Sequence, residues 1–463
     1  MNWLIKPAWL FPALGSLFLG ARAEKAQQPN IIFFLADDMR WDAMRCAGNE
    51  WIETPALDAL AAQGVRFDNA FVTTSICCCS RASILSGQYV SRHGIPDFKT
   101  PFGPEAFAQT YPTLLKDAGY QIGFVGKYGI GTNTNDVAPR FDYFFGSAEQ
   151  PKYKNTDENG NYIHYEELVE KHICQFLSTT STDKPFCLSV SFKAPHVQDG
   201  DPRQFIYNPK YKDLYTDVKM PETKTNTLDE WEKFPEFFKK DNEARKRWEL
   251  RFSNPEQFQE SVKGYYRLIK GLDEVIGNIR EKLGQMGIAE NTILIFSGDN
   301  GFYLGEHGLA GKWYGHEPSI RVPLIICNPK HKELAGKVVS KMALNIDIAP
   351  TILSFAGIRS PKTMQGRDLK LIMANGKPSD WRNSFYYEHN VPIKTIPKSQ
   401  GLRTGKYMYI VYPESSPVYE ELYDLQNDPA QQNNLAPISG NNALLKKIRS
   451  EFRKKQKESI GFK

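Results

Sequence analysis

Asn30-Ile31-Ile32-Phe33-Phe34-Leu35-Ala36-Asp37-Asp38 is the stretch that decides the fold. Its apolar residues run on without alternation, so neither face is left for water. That is the pattern of a strand buried on both sides in a parallel sheet. Similar short runs recur at 121–126, 185–192, 292–297 and 322–327, separated by stretches with helical spacing. The alternation predicts an α/β fold: a large mixed, mostly parallel sheet sandwiched by helices. In such sheets ligands gather at the carboxyl ends of the strands. Asp37 and Asp38 follow the first run, Lys127 the second, His196 the third, and Asp299 with Asn300 the fourth, so the candidate chemistry falls on one edge.

Outward from that strand, residues 1–23 read as an export signal. Lys6 precedes an apolar run that ends in Ala21-Arg22-Ala23, an Ala-x-Ala cleavage pattern. The run is short and interrupted by proline, which argues against a stable membrane anchor. The first cysteine, Cys46, lies too far on for a lipoprotein. The mature chain is therefore expected to be periplasmic or secreted. With 463 residues there is room for a catalytic domain over 24–365 and a smaller C-terminal subdomain over 366–463 that completes the cleft. A net charge of +5 makes no case for nucleic acid, although local basic patches attract sulfated polyanions. Residues 199–260 turn polar and aromatic and read as an excursion over the rim of the site. Tyr265, Leu268, Ile269, Leu272, Ile276, Ile279 and Leu283 then form a helical core stripe. Near the end, 407–412 reads as a strand and 442–457 as a basic helix.

A second stretch carries the chemistry: Ser75-Ile76-Cys77-Cys78-Cys79-Ser80-Arg81-Ala82-Ser83-Ile84-Leu85-Ser86-Gly87-Gln88. From Ser80 these residues suit a short helix that Gly87 can end. Cys77 then sits at its mouth, where free N–H groups and the dipole favour an anion. Arg81, a turn further in, adds a planar cation matched to a tetrahedral oxyanion. Three adjacent cysteines cannot all ligate one metal comfortably, and the paired spacings of a zinc site are missing. Seven cysteines in all leave an odd one, consistent with one being consumed by modification. Asp37, Asp38, Asp299 and Asn300 together would give an oxygen-only cage for a hard cation, calcium first and magnesium second.

Cys77, followed by Cys79-Ser80-Arg81 and Leu85-Ser86-Gly87, resembles the signature of the type I sulfatases, which have an alkaline phosphatase-like fold. The resemblance is strongest to exported bacterial carbohydrate sulfatases. It covers most of the mature chain, including 298–323, 347–351 and 420–424. It implies a sulfuric ester hydrolase acting on a sulfated carbohydrate. A formylglycine-generating enzyme would convert Cys77 to formylglycine, whose hydrate is the nucleophile. The same resemblance points to a calcium site at Asp37, Asp38, Asp299 and Asn300, with the group derived from Cys77 also a ligand. It implies that Arg81 and Lys127 stabilise the nucleophile, that Lys312 binds sulfate, and that His196 assists the leaving group. The family usually has a histidine two positions after Lys127, and here that position is Gly129. Tyr128, His307 or a water is left to replace it. Arg92, His93, Glu388, His389 and Arg403 are candidate sugar contacts. Two other readings stand beside this one: a phosphonate or phosphate ester hydrolase of the same fold, and a non-catalytic sulfoglycan-binding protein.

Overall fold

The computed structural model describes residues 28–181, 183–374 and 378–461, together with Met1 and Trp3. The export signal over 1–23 thus lies outside the described residues, apart from Met1 and Trp3. No described helix is long and apolar enough to cross a membrane.

The main sheet consists of β1 (Asn30–Asp37), β2 (Val65–Phe67), β3 (Gln121–Lys127), β4 (Tyr143–Ser147), β5 (Phe186–Pro195), β6 (Thr292–Gly298), β7 (Leu324–Cys327) and β8 (Lys337–Val339). Their order is β8-β2-β7-β6-β1-β5-β3-β4. The run that opens the sequence is central: β1 pairs in parallel with β5 and β6, and all of its residues are buried. β7 is antiparallel to β2 and β6, whereas the other pairs are parallel. The sheet is therefore mixed and mostly parallel. Because β7 runs the other way, the fifth apolar run sends its carboxyl end to the opposite edge.

Continuous apolarity in β1 is explained by two cores. Ile31, Phe33 and Leu35 enter one, while Ile32, Phe34 and Ala36 enter the other. The covering helices are α1 (Pro55–Gln63), α2 (Cys77–Ser86), α3 (Tyr165–Ser178), α4 (Glu243–Arg251), α5 (Pro255–Gln285), α6 (Ile348–Phe355) and α7 (Asn442–Ile460). α2 and α6 pack into the first core, and α1, α3 and α5 into the second. The stripe from Tyr265 to Leu283 is the buried face of α5.

A four-stranded antiparallel sheet follows, in the order β9 (Ser384–His389), β10 (Ser399–Thr404), β11 (Tyr407–Tyr412) and β12 (Tyr419–Asp424). α7 lies against it through Leu445, Ile448 and Phe452, and Phe452 meets the rings of Tyr386 and Tyr409. This sheet shares the first core with α2; a single apolar cluster reaches from Ile31 to Phe452. Docking by a shared core ties the C-terminal strands to the helix that carries Cys77.

Candidate active site

α2 begins at Cys77, three residues earlier than Ser80, because Ile76 is the last extended residue (φ −158°). It ends at Gly87, whose left-handed φ of 66° lets its N–H reach the Ser83 carbonyl. Cys77 is thus in the first turn, where unpaired N–H groups favour negative charge. Its Sγ donates to Asp37 Oδ1 at 3.3 Å and accepts from Lys312 Nζ at 3.1 Å. Burial, then the charge on Asp37, pushes the thiol up, so an unmodified Cys77 is held as the weakly nucleophilic thiol.

Four strand ends converge on that sulfur. Asp37 ends β1, and its Oδ2 takes the ammonium of Lys127, which ends β3. Burial alone would raise Asp37, but Lys127 and Arg81 outweigh it and hold the carboxyl well below the usual range. Asp38 has a left-handed φ of 66°, a strained conformation for a residue with a side chain. That turn aims Oδ1 at Lys312 and at Asn300 Nδ2 (2.6 Å), while the Tyr265 hydroxyl caps its carbonyl at 2.8 Å. Asp299, beyond β6, accepts from Arg81 Nε at 2.9 Å and from the Asp38 N–H at 3.1 Å. Burial and the neighbouring Asp37 push its carboxyl up to about 7. Arg81 is fixed further by the Lys127 carbonyl at 2.6 Å and by Ser191 Oγ.

His196 follows β5. Its Nδ1 donates to the Val197 carbonyl at 2.7 Å, since a carbonyl can only accept. Burial, then Lys312, keeps the ring neutral, so Nε2 is a bare acceptor 3.5 Å from Asp38 Oδ2. Two acceptors facing each other need a cation or a proton between them. Ligand atoms of Asp37, Asp38, Cys77 and His196 all lie within 4.8 Å of one another. Asn300 Oδ1, buried beside them, has no hydrogen-bond partner among the described residues. The oxygens of Asp37, Asp38 and Asn300 suit a hard cation, whereas Asp299, expected in the same cage, lies outside this converging group with its two oxygens taken by Arg81 and the Asp38 N–H.

The structure separates the remaining candidates from this centre. Tyr128 points into the apolar core against Phe124, at 5.6 Å between rings, and its hydroxyl has no described partner. His307 stacks on His316 at 4.8 Å, and burial lowers its pKa well below the usual value. Glu388 accepts the Ser91 N–H at 3.0 Å, and His93 meets Ser83 Oγ at 3.1 Å. His389 is wholly buried, and Arg403 is held by Glu317 at 2.8 Å. Arg92 lines a different groove. None of these seven lines the cleft above Cys77. The cause is tertiary: β9 and β10 turn Glu388, His389 and Arg403 inward as packing groups.

The cleft itself is a cavity of about 670 Å³ opening over Cys77, Lys127, His196 and Lys312. Its outer wall holds residues the sequence left unmarked: Glu243 and Arg247 on α4, Asp199, and Trp313. Arg247 Nε donates to Glu243 at 2.8 Å, and its guanidinium lies 5.1 Å from the Trp313 ring centre. For Asp199, Glu243 and Arg247 the signal in the sequence is the charged, aromatic excursion over 199–260, and for Trp313 it is its place directly after Lys312. Gly129 also lines the cleft, with φ of 69°. A Cβ there would lie 3.1 Å from Arg81 Cδ and 3.3 Å from Lys127 Cε.

Cations gathered around a helix N-terminus beside a cage of carboxylates are suited to gripping and cleaving an ester of a tetrahedral oxyanion. Which oxyanion is decided by comparison. Residues 29–358 match the sulfatase family model, and 305–458 match the model of the N-sulphoglucosamine sulphohydrolase C-terminal region. The chain belongs to the sulfatase family and is a sulfuric ester hydrolase. It is 29% identical, over 98% of its length and 89% of the relative's, to an N-acetylglucosamine-6-O-sulfatase of Bacteroides thetaiotaomicron. A solved structure in complex with its substrate D-glucosamine-2-N,6-O-disulfate is 27% identical, with a TM-score of 0.82 over 94% of this chain and 99% of that one. The phosphonate monoester hydrolase of Agrobacterium radiobacter shares the fold, with a TM-score of 0.77 at 19% identity, over 93% of this chain and 96% of that one.

Proposed function

We propose that this sulfatase removes sulfate from a sulfated carbohydrate, with a 6-O-sulfated amino sugar the first substrate to test. The observation that carries the site assignment is the double grip on Cys77 Sγ, by Asp37 on one side and Lys312 on the other. The sugar assignment draws on the relative's name and on a cleft wall where Asp199 and the Arg247–Glu243 pair beside Trp313 offer polar contacts to hydroxyls. The leader-like first residues support an exported, periplasmic or secreted enzyme.

Conversion of Cys77 to formylglycine by a generating enzyme would supply a hydroxyl nucleophile, and calcium held by Asp37, Asp38, Asp299 and Asn300 would supply Lewis-acid charge. The rest falls to side chains. Lys127, Lys312 and Arg81 lie around position 77 as fixed positive charges for the sulfate oxygens, in surroundings dry enough to strengthen each contact. His196, anchored through Nδ1 and lining the cleft, has Nε2 left to meet the bridging oxygen of a bound ester. As a neutral ring it must first take up a proton at Nε2 before donating to the departing alcohol.

The first experiment is the mass of the tryptic peptide containing Cys77 from the native host, paired with sulfate release from N-acetylglucosamine 6-sulfate. An aldehyde mass with sulfate release supports the reading. A plain thiol without turnover would put a sulfoglycan-binding role in front, and faster cleavage of an aryl phosphonate would put the other hydrolase there.

A further inference from the structure

α7 carries seven Lys and Arg against two Glu in its nineteen residues. That excess of five equals the net charge of +5 of the whole chain, so the remainder is neutral and the surplus sits on one helix. At about 100° per residue, Lys446, Lys447, Arg453, Lys454 and Lys457 fall within an arc of about 120°. Leu445, Ile448 and Phe452 are buried on the opposite side. The five cations form a solvent-facing stripe, and none has an acidic partner among the described residues. Arg449 and Lys455, off the stripe, are the two that do, with Glu420 and Glu458.

Beside the C-terminal half of α7, which reaches it through the Lys455–Glu458 pair and Ser459 at the edge of the stripe, runs a groove of about 320 Å³ that adds Arg92 and Lys362, likewise without an acidic partner among the described residues. Tyr89, just past the end of α2, lines this groove, whereas Cys77 at the start of α2 lines the catalytic cleft. A ten-residue helix is about 15 Å long. The basic surface therefore stands apart from the site of hydrolysis.

We propose that the α7 stripe and this groove form an exosite that holds a sulfated polysaccharide chain away from the cleft. Charge complementarity selects a polyanion. A bilayer is disfavoured because a helix lying in a membrane inserts its apolar face, and that face of α7 is already spent on β9 and β10. The occupant rests on the sulfated-glycan reading above, while the stripe itself does not.

The test replaces Lys446, Lys447, Arg453, Lys454 and Lys457 by Gln together, with a second variant carrying Lys447→Arg, Lys454→Arg and Lys457→Arg. Elution from a heparin column, affinity for soluble heparin at several salt concentrations, and hydrolysis of a small sulfate ester are read for each. The Gln variant should elute at lower salt, bind heparin roughly tenfold or more weakly at ~0.1 M salt, and show a shallower salt dependence. The Arg variant should behave as the parent, and small-ester hydrolysis should be unchanged in both. Undiminished heparin affinity in the folded Gln variant overturns the proposal. So does tighter stripe-dependent binding of duplex DNA or of anionic phospholipid vesicles than of heparin. Absence of small-ester hydrolysis in every form, with stripe-dependent heparin binding intact, would sink the catalytic reading and leave the exosite standing.

Discussion

Replacing Gly129 by His introduces the residue that the family resemblance implies there, and the structure predicts that it lowers activity. Two effects add. A side chain at φ of 69° sits in the left-handed region, a penalty of about 1 to 2 kcal/mol, toward the lower end for His. Its Cβ would also press on Arg81 Cδ at 3.1 Å and Lys127 Cε at 3.3 Å, so one or both must give by a few tenths of an ångström. Arg81 has little freedom to yield, being held by Asp299 at 2.9 Å and by the Lys127 carbonyl at 2.6 Å. Displacing charges preorganised around the nucleophile by that amount should lower kcat about four- to tenfold, given the roughly hundredfold loss that a 1 Å misplacement can cause. A stability loss of about 1 kcal/mol in a chain this large corresponds to a Tm shift of about 1 to 2 °C. Sulfate release from a small ester and a thermal melt are to be compared for wild type, G129A and G129H. G129A carries the strain without the ring and should fall alongside G129H. Activity of G129H above wild type at an unchanged Tm would refute the reasoning and show that the pocket had room for the imidazole.

Three further outcomes follow from the geometry. His196→Ala should cost about a hundredfold or more on a sugar sulfate but under about tenfold on an aryl sulfate with an acidic phenol, because only the alcohol needs a proton; equal losses on both would remove His196 from the leaving group. Asn300→Ala deletes the unpaired buried oxygen and the donor to Asp38, so calcium affinity measured by competition with a chelator should fall at least about tenfold, and unchanged affinity would place the ion elsewhere. Burial raises Glu166 from its ordinary value of 4.5 to about 8, while its Oε1 accepts the Ala194 N–H at 2.9 Å. The folded state then keeps a proton that the unfolded chain has released, so this group subtracts stability as pH rises from about 4.5 to about 8. Denaturant titrations at both ends of that window should show Glu166→Gln gaining on the order of a few kcal/mol at the alkaline end only, and identical gains at both ends would contradict the assignment.

The parts of this molecule legible in the sequence are those fixed by local pattern. The unbroken apolar run at 31–36 implied a strand covered on two sides, and the residues after four such runs named the edge where Asp37, Lys127, His196 and Asp299 meet. What stayed hidden was decided by partners distant in the chain. Glu388 and Arg403 look like polar residues available to a sugar until Ser91 and Glu317 are seen to hold them. Arg247 looks like one more surface charge in a charged segment until α4 lays it beside Trp313. α2 starts three residues before Ser80 because burial of the whole helix overrides the weak helix propensity of its cysteines.

That burial also constrains when the protein can be matured. All ten residues of α2 are buried, and Cys77 is 2% exposed. A modifying enzyme would have to reach a side chain that the docked helix, sharing its core with the C-terminal strands, keeps out of solvent. If Cys77 is modified, as proposed above, the modification would compete in time with folding, and chain that closes its core first would stay in the thiol form. The converted fraction would then be a kinetic record of which process won, and slowing the closure of that core should raise it.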